Sequence, residues 1–167
     1  EVGQYFIDDT TLEECGDTFM VPSSLRTLAV TNGAADIGRG LFANLSMLTE
    51  IAYSTVITSV DDYAFYNCNN LTSVPSVSSA VTVGDYAFYK AGVCASASST
   101  TASLTSAGDY AFYNAPFISA LPVDTTATFG EYSFAGTSVS SADLSGYTEL
   151  SSLIPSGLLK GTDIASV

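Results

Sequence analysis

The hexapeptide DYAFYN occupies residues 62–67, DYAFYK residues 85–90 and DYAFYN again residues 109–114. Near-verbatim recurrence implies that each copy meets the same surroundings, so the repeat is read before any other structure. Anchored on its phenylalanine, the phrase extends to Phe19, Phe42, Phe65, Phe88, Phe112 and Phe134, with Leu159 in the same slot. Successive anchors lie 23, 23, 23, 24, 22 and 25 residues apart. Residues 1–18 read as an irregular N-terminal cap or partial coil, and residues 19–167 as one array of six to seven coils without an internal domain boundary.

Apolar columns confirm the frame. Six residues after the anchor stand Leu25, Leu48, Leu71, Cys94 and Ile118; nine after it Leu28, Ile51, Val74, Ala97 and Leu121; five before it Ile37, Val60, Val83, Ala107, Phe129 and Ile154. Each unit reads as a short alternating strand (Leu71–Val74), a second extended stretch (Ile57–Val60) and a tight helical turn carrying Tyr-Ala-Phe. So few apolar positions per unit cannot close a core alone, and stacking the units buries a continuous column. The stretch SASSTTASLTS at 96–106 has linker composition, but the anchor spacing across it is kept, so it reads as a coil filled with small residues.

The bulk numbers exclude several classes. At 167 residues and 47% hydrophobic, with a mean hydropathy of +0.31, the chain is long and apolar enough for a packed core. Seventeen acids oppose four cations, for a net charge of −13, which repels nucleic acid and anionic membranes. No apolar run approaches 18 residues, so no membrane insertion is expected. Histidine is absent, which removes the usual general base and zinc ligand. Abundant Ser and Thr with few charges give the chain a secreted look. It opens at Glu1 without a Met and with no visible signal peptide, which fits a processed or truncated product.

The phrase Val60-Asp-Asp-Tyr-Ala-Phe-Tyr-Asn-Cys-Asn-Asn-Leu-Thr-Ser-Val74 resembles the repeat of the bacterial surface antigen A (BspA-like) leucine-rich repeat family. That repeat carries Ile/Val-Gly-x-x-Ala-Phe followed by Cys-x-x-Leu-x-x-Val/Ile. The family cysteine stands in its slot only at Cys68; other copies have Pro22, Leu45, Ala91, Ala115 and Thr137. The resemblance implies an α/β solenoid: a right-handed leucine-rich repeat array with one short β-strand per coil and short helical turns opposite. It also implies a non-enzymatic protein, extracellular or on the cell surface, acting in adhesion or protein binding, with no cofactor.

Within the repeat, Asp62, Asp85, Asp109 and Glu131 precede the anchor by three residues. Such an acid can cap the amides of the turn it opens, or help hold calcium. The acids lack the dense spacing of a calcium loop, so capping is expected, and Gly84, Gly108 and Gly130 before them suit a tight turn. Two tyrosine columns flank the anchor: Tyr63, Tyr86, Tyr110 and Tyr132 before it, and Tyr66, Tyr89 and Tyr113 after it. They serve either packing between coils or a binding stripe for a protein or glycan partner. Asn44 and Asn70 lie in N-x-[ST] sequons and are candidate glycosylation sites, although Asn44 shares a column with Asn67 and Asn114 as a turn residue would.

Cys68 and Cys94 fill apolar slots, as buried free thiols do; a disulfide between them is the alternative, and Cys15 lies in the irregular first unit. No serine has an activating base, and no single place breaks the repeat as an enzyme site would. The chain stops in mid-phrase at Val167. Either the array is cut there, or Ile164 and Val167 form an end-to-end contact with a second copy, the route to an extracellular filament. The partners implied are thus a host or matrix protein, a glycan, or the chain itself.

Overall fold

The computed structural model describes residues 5–7, 23–30, 36–53, 57–72, 81–92, 104–116, 118–121, 126–140 and 156–162. Its regular elements are short strands in two parallel sheets. The first joins β1 (Tyr5–Ile7), β2 (Thr27–Val30) and β4 (Glu50–Tyr53). The second joins β3 (Asp36–Ile37), β5 (Ser59–Val60), β6 (Val81–Val83), β7 (Leu104–Ala107) and β8 (Thr128–Phe129) in that order. Partners lie one repeat apart, Leu28 beside Ile51 and Val60 beside Val83, so each coil stacks directly on the last. Between residues 27 and 60 the chain visits the two sheets alternately, so these coils carry two strands, as the two extended stretches of the repeat suggested, rather than the single strand the family resemblance implied. The first strand also begins later than its apolar phrase suggested: β4 starts two residues after Leu48.

The 24-residue spacing between Phe88 and Phe112 has a local cause. Val81 pairs with Leu104 but Thr82 pairs with Ser106, leaving Thr105 as a bulge in β7. Its hydroxyl donates to the Val81 carbonyl at 3.0 Å, so the extra residue is absorbed without breaking the stack.

Among the described residues there is no helix, which corrects the expected helical turns. The segment from Asp61 to Cys68 is instead three overlapping β-turns: Ala64 N–H donates to Asp61 C=O, Tyr66 to Tyr63 and Cys68 to Phe65, at 3.1 to 3.3 Å. Tyr63 and Asn67 take φ of 58°, the left-handed region that a type II turn requires at its third residue and an α-helix does not tolerate. The amides between them point along the solenoid axis. Tyr63, Phe65 and Asn67 donate to Asp85, Ala87 and Tyr89 of the following coil at 2.9, 2.7 and 2.9 Å. The same triple recurs from Gly40, Phe42 and Asn44 through to Tyr132, Phe134 and Gly136.

The core fills the space between sheets and turns. Phe42, Phe65, Phe88, Phe112 and Phe134 are buried and form a spine of stacked rings with centroids 5.1 to 5.4 Å apart. Leu25, Leu48, Leu71 and Ile118 form a second buried column, and Ile37, Val60, Val83 and Ala107 a third. The buried Ser133 stands where other coils have Ala64, Ala87 and Ala111, and its hydroxyl has no hydrogen-bond partner.

The acids do not cap their own turns. Asp62 Oδ1 accepts the amide of Asp85, Asp85 that of Asp109 and Asp109 that of Glu131, at 2.7 to 2.9 Å, so each caps the next coil. This contact fixes the glycine before each acceptor turn. A Cβ on Gly108 would sit 2.7 Å from the Asp85 nitrogen and 2.8 Å from the Gly84 carbonyl carbon, besides meeting Asp85 Oδ1. Where the preceding coil carries Arg39 instead of an acid, Asp61 takes the glycine slot, and its own Oδ1 accepts the Asp62 amide at 2.9 Å. Gly108→Ala is expected to cost about 1–3 kcal/mol in a urea titration, an overpacking penalty against backbone. Gly38→Ala, with nothing within 4 Å of the new carbon, is expected to leave the midpoint unchanged.

Candidate functional site

The turn face carries the tyrosines. Those before the anchor stack in one column, Tyr63 on Tyr86, Tyr110 and Tyr132, with centroids 5.0 to 5.1 Å apart and planes within 10°. Tyr66, Tyr89 and Tyr113 stack in a second at 5.1 Å. The columns touch through tilted contacts of 5.6 to 5.7 Å, so seven rings make one continuous ribbon. All seven are half-buried. Loss of water around the packed rings raises the phenols of Tyr86 and Tyr110 above their ordinary value, and neighbouring tyrosines and acids add to this. Both are therefore neutral at physiological pH.

The first column is held in a strained backbone. Tyr63, Tyr86, Tyr110 and Tyr132 have φ of 54° to 58°, a region that bulky side chains avoid at a cost of about 1–2 kcal/mol each. The flanking coils place Gly40 and Gly157 in this slot, at φ of 63° and 68°. The fold thus needs the conformation but not the ring. Aromatic stacking, about 0.5–1.5 kcal/mol per pair, offsets much of the strain.

Three of the chain's four cations lie over these rings: Arg39 over Tyr63 at 5.8 Å, Lys90 over Tyr89 at 5.3 Å and Lys160 over Tyr132 at 5.7 Å. The repeat frame held this signal and the sequence reading missed it. Arg39 occupies the acid slot, Lys90 the asparagine slot and Lys160 the slot of Tyr66, Tyr89 and Tyr113, each a departure from its column.

The remaining candidates fall apart from the ribbon. Among the described residues no cluster of three or more Asp, Glu or Cys side chains converges to hold a metal ion. Asn44 is exposed and accepts from the Asn67 amide at 3.2 Å; Asn70 is exposed and donates its amide to the Ser46 carbonyl at 2.6 Å. Ile164, Val167, Cys15 and Cys94 lie outside the described residues. Cys68 is a free, buried thiol donating to the Phe42 carbonyl at 3.1 Å, so it forms no disulfide with Cys94.

The pattern of a BspA type leucine rich repeat region matches residues 14–141 in six copies. The chain belongs to the BspA-type leucine-rich repeat family. Leucine-rich repeat proteins are in general non-enzymatic scaffolds that bind other proteins, and BspA-type members are typically surface or secreted proteins of bacteria. No curated protein and no solved structure matches the chain. Among the described residues of this BspA-type solenoid, no helix is long and apolar enough to cross a membrane.

Burial pushes the Cys68 thiol up to about 12, against the smaller lowering effect of a backbone hydrogen bond from Leu45. In a Cys15→Ser, Cys94→Ser background, Cys68 is expected to resist an aromatic disulfide reagent at pH 8 and to react at once in denaturant, since only thiolate attacks. Rapid labelling of the folded chain would contradict this burial.

Proposed function

We propose that this chain is a non-enzymatic scaffold, extracellular or on the cell surface, that acts in adhesion by binding a host or matrix protein through the tyrosine ribbon. The observation that carries this reading is the strained column. Rings are kept at four positions where glycine satisfies the backbone in neighbouring coils, and they stay half-exposed on one rigid face. Tyrosine is favoured at binding hot spots because a large, stiff ring loses little entropy on contact. Inside the ribbon each ring face is taken by its neighbour, which leaves edges and hydroxyls outward. That surface suits a protein better than a sugar, which stacks on ring faces. Where the chain is made by a glycosylating cell, Asn44 is the freer of the two sequons, since Asn70 commits its amide to Ser46.

Replacing Tyr66, Tyr89 and Tyr113 together by Ser tests the reading. These three have ordinary backbone angles, so the solenoid is expected to persist by circular dichroism with a modest loss of stability. Adhesion to a panel of surfaces coated with single matrix proteins is expected to fall at least about tenfold, as loss of a hot spot implies. A folded triple variant that adheres as well as the parent refutes the ribbon as the binding face.

A second reading, end-to-end assembly into an extracellular filament, rests on one observation. The amides of Gly157, Leu159 and Gly161 occupy the slots that donate to a following coil from Gly40, Phe42 and Asn44 through to Tyr132, Phe134 and Gly136, and none finds an acceptor among the described residues. A coil of a second copy would supply the carbonyls, an open head-to-tail contact. Sedimentation of the purified chain is expected to show open-ended oligomers growing with concentration; a strictly monomeric species removes this reading.

A further inference from the structure

The ribbon breaks at one place. The column Tyr66, Tyr89, Tyr113 continues into Ala135 and then Lys160, while the asparagine slot passes from Asn114 to Gly136 and Gly161. Loss of these side chains opens a cleft of about 420 Å³ beside the last tyrosines. Its floor is the buried Ala135 and the Gly136 backbone, and its walls include Tyr113, Tyr132, Asn114 and Lys160. Tyr113 stacks on Tyr89 on one side, and among the described residues no ring stands against its other side. Gly136 leaves room for the Asn114 amide, whose oxygen stands where a Cβ on that glycine would lie. Lys160 forms no ion pair with a carboxylate among the described residues, and its ammonium lies 5.7 Å from the Tyr132 ring centroid. Although the chain carries a net −13, neither Asp109 nor Glu131 lines the cleft, and among the described residues Lys160 is its single formal charge.

We propose that this cleft binds a saccharide unit bearing a carboxylate, of the kind a uronic acid presents. The free side of Tyr113 takes the C–H face of a pyranose ring, Lys160 pairs with the carboxylate, and the Asn114 amide and tyrosine hydroxyls meet ring hydroxyls. A cation is refused by Lys160. A purely apolar ligand would leave the ammonium and amide unused, and a bare inorganic anion would leave the aromatic wall unused. The cleft is of the size that holds one small ligand. It stands apart from protein binding along the ribbon edges, and its test reads a small molecule rather than adhesion.

Glucuronate, titrated into the full chain at physiological ionic strength and followed by tyrosine fluorescence and by amide NMR, is expected to bind saturably at or below about 1 mM. Lys160→Gln, an exposed change, is expected to weaken it about tenfold, the worth of a hydrogen bond to a charged group. Lys90→Gln, which removes the other ribbon lysine outside the cleft, is expected to leave it unchanged. Glucose is expected to bind more weakly and to ignore Lys160→Gln. Tyr113→Leu supplies a second probe that keeps a large apolar side chain and is expected to reduce both sugars together. The proposal is overturned if glucuronate fails to saturate, if glucose binds as tightly, or if Lys160→Gln changes nothing. It is equally overturned if benzoate binds while glucuronate does not, which would assign the cleft to aromatic acids.

Discussion

The structure depends on where alternate amides of the turn point. In a helix they would donate backward within their own segment. Here Tyr63, Phe65 and Asn67, and their equivalents in each coil, donate forward to the next coil. That choice demands two left-handed residues per turn and sets the coil spacing at that of a parallel sheet, about 4.8 Å. Everything stacked on the coils inherits this pitch. Phenylalanine rings follow it inside at 5.1 to 5.4 Å and tyrosine rings outside at 5.0 to 5.1 Å, close to the best spacing for offset stacking. The carboxylate ladder follows as well, because an amide brought within 3 Å of the previous coil's acid leaves no room for a side chain on the residue before it.

The frame and the core were legible in the sequence because both are set by period and apolar pattern. Leu25, Leu48, Leu71 and Ile118 fall in one column and are all buried. The turn was misread because a tyrosine is a poor guide to left-handed backbone. The signal lay down the column rather than along the chain: Gly40 and Gly157 share the slot of Tyr63, and Asn44, Asn67, Gly136 and Gly161 share the slot two after the anchor. Glycine and asparagine accept positive φ, so a column containing them marks the conformation even where a ring occupies it. The acids were correctly seen as acceptors but assigned to the wrong amide, since a local cap and a contact 22 to 24 residues away look alike from one coil. Asp61 shows the difference: it appears in the glycine slot only where the preceding coil has Arg39 in place of an acid.

Ladder carboxylates would repel one another if left unsatisfied. Asp62, Asp85 and Asp109 instead each accept a backbone amide of the next coil, which places part of the acidic excess in the hydrogen-bond framework. Loss of water on stacking raises the phenols of Tyr86 and Tyr110 beside them further above their ordinary value. Three of the chain's four cations lie over tyrosine rings instead. Arg39 and Lys160 lie over the two terminal rings of the first column, Tyr63 and Tyr132.

A perfect repeat cannot distinguish one position along its length from another, so a regular ribbon recognises shape and pitch but no unique point. The regular rings expose edges at one spacing and suit an extended partner that contacts several coils at once. A defined point requires a broken column, and the departures occur where chemistry changes: Arg39 at one end, Lys90 in the middle, and Ala135, Gly136 and Lys160 at the other. Only the last set removes side chains as well as adding charge, and removal is what makes a cavity. The regular ribbon and the broken column thus share one face and meet at Tyr113, while the amide ladder runs beneath both.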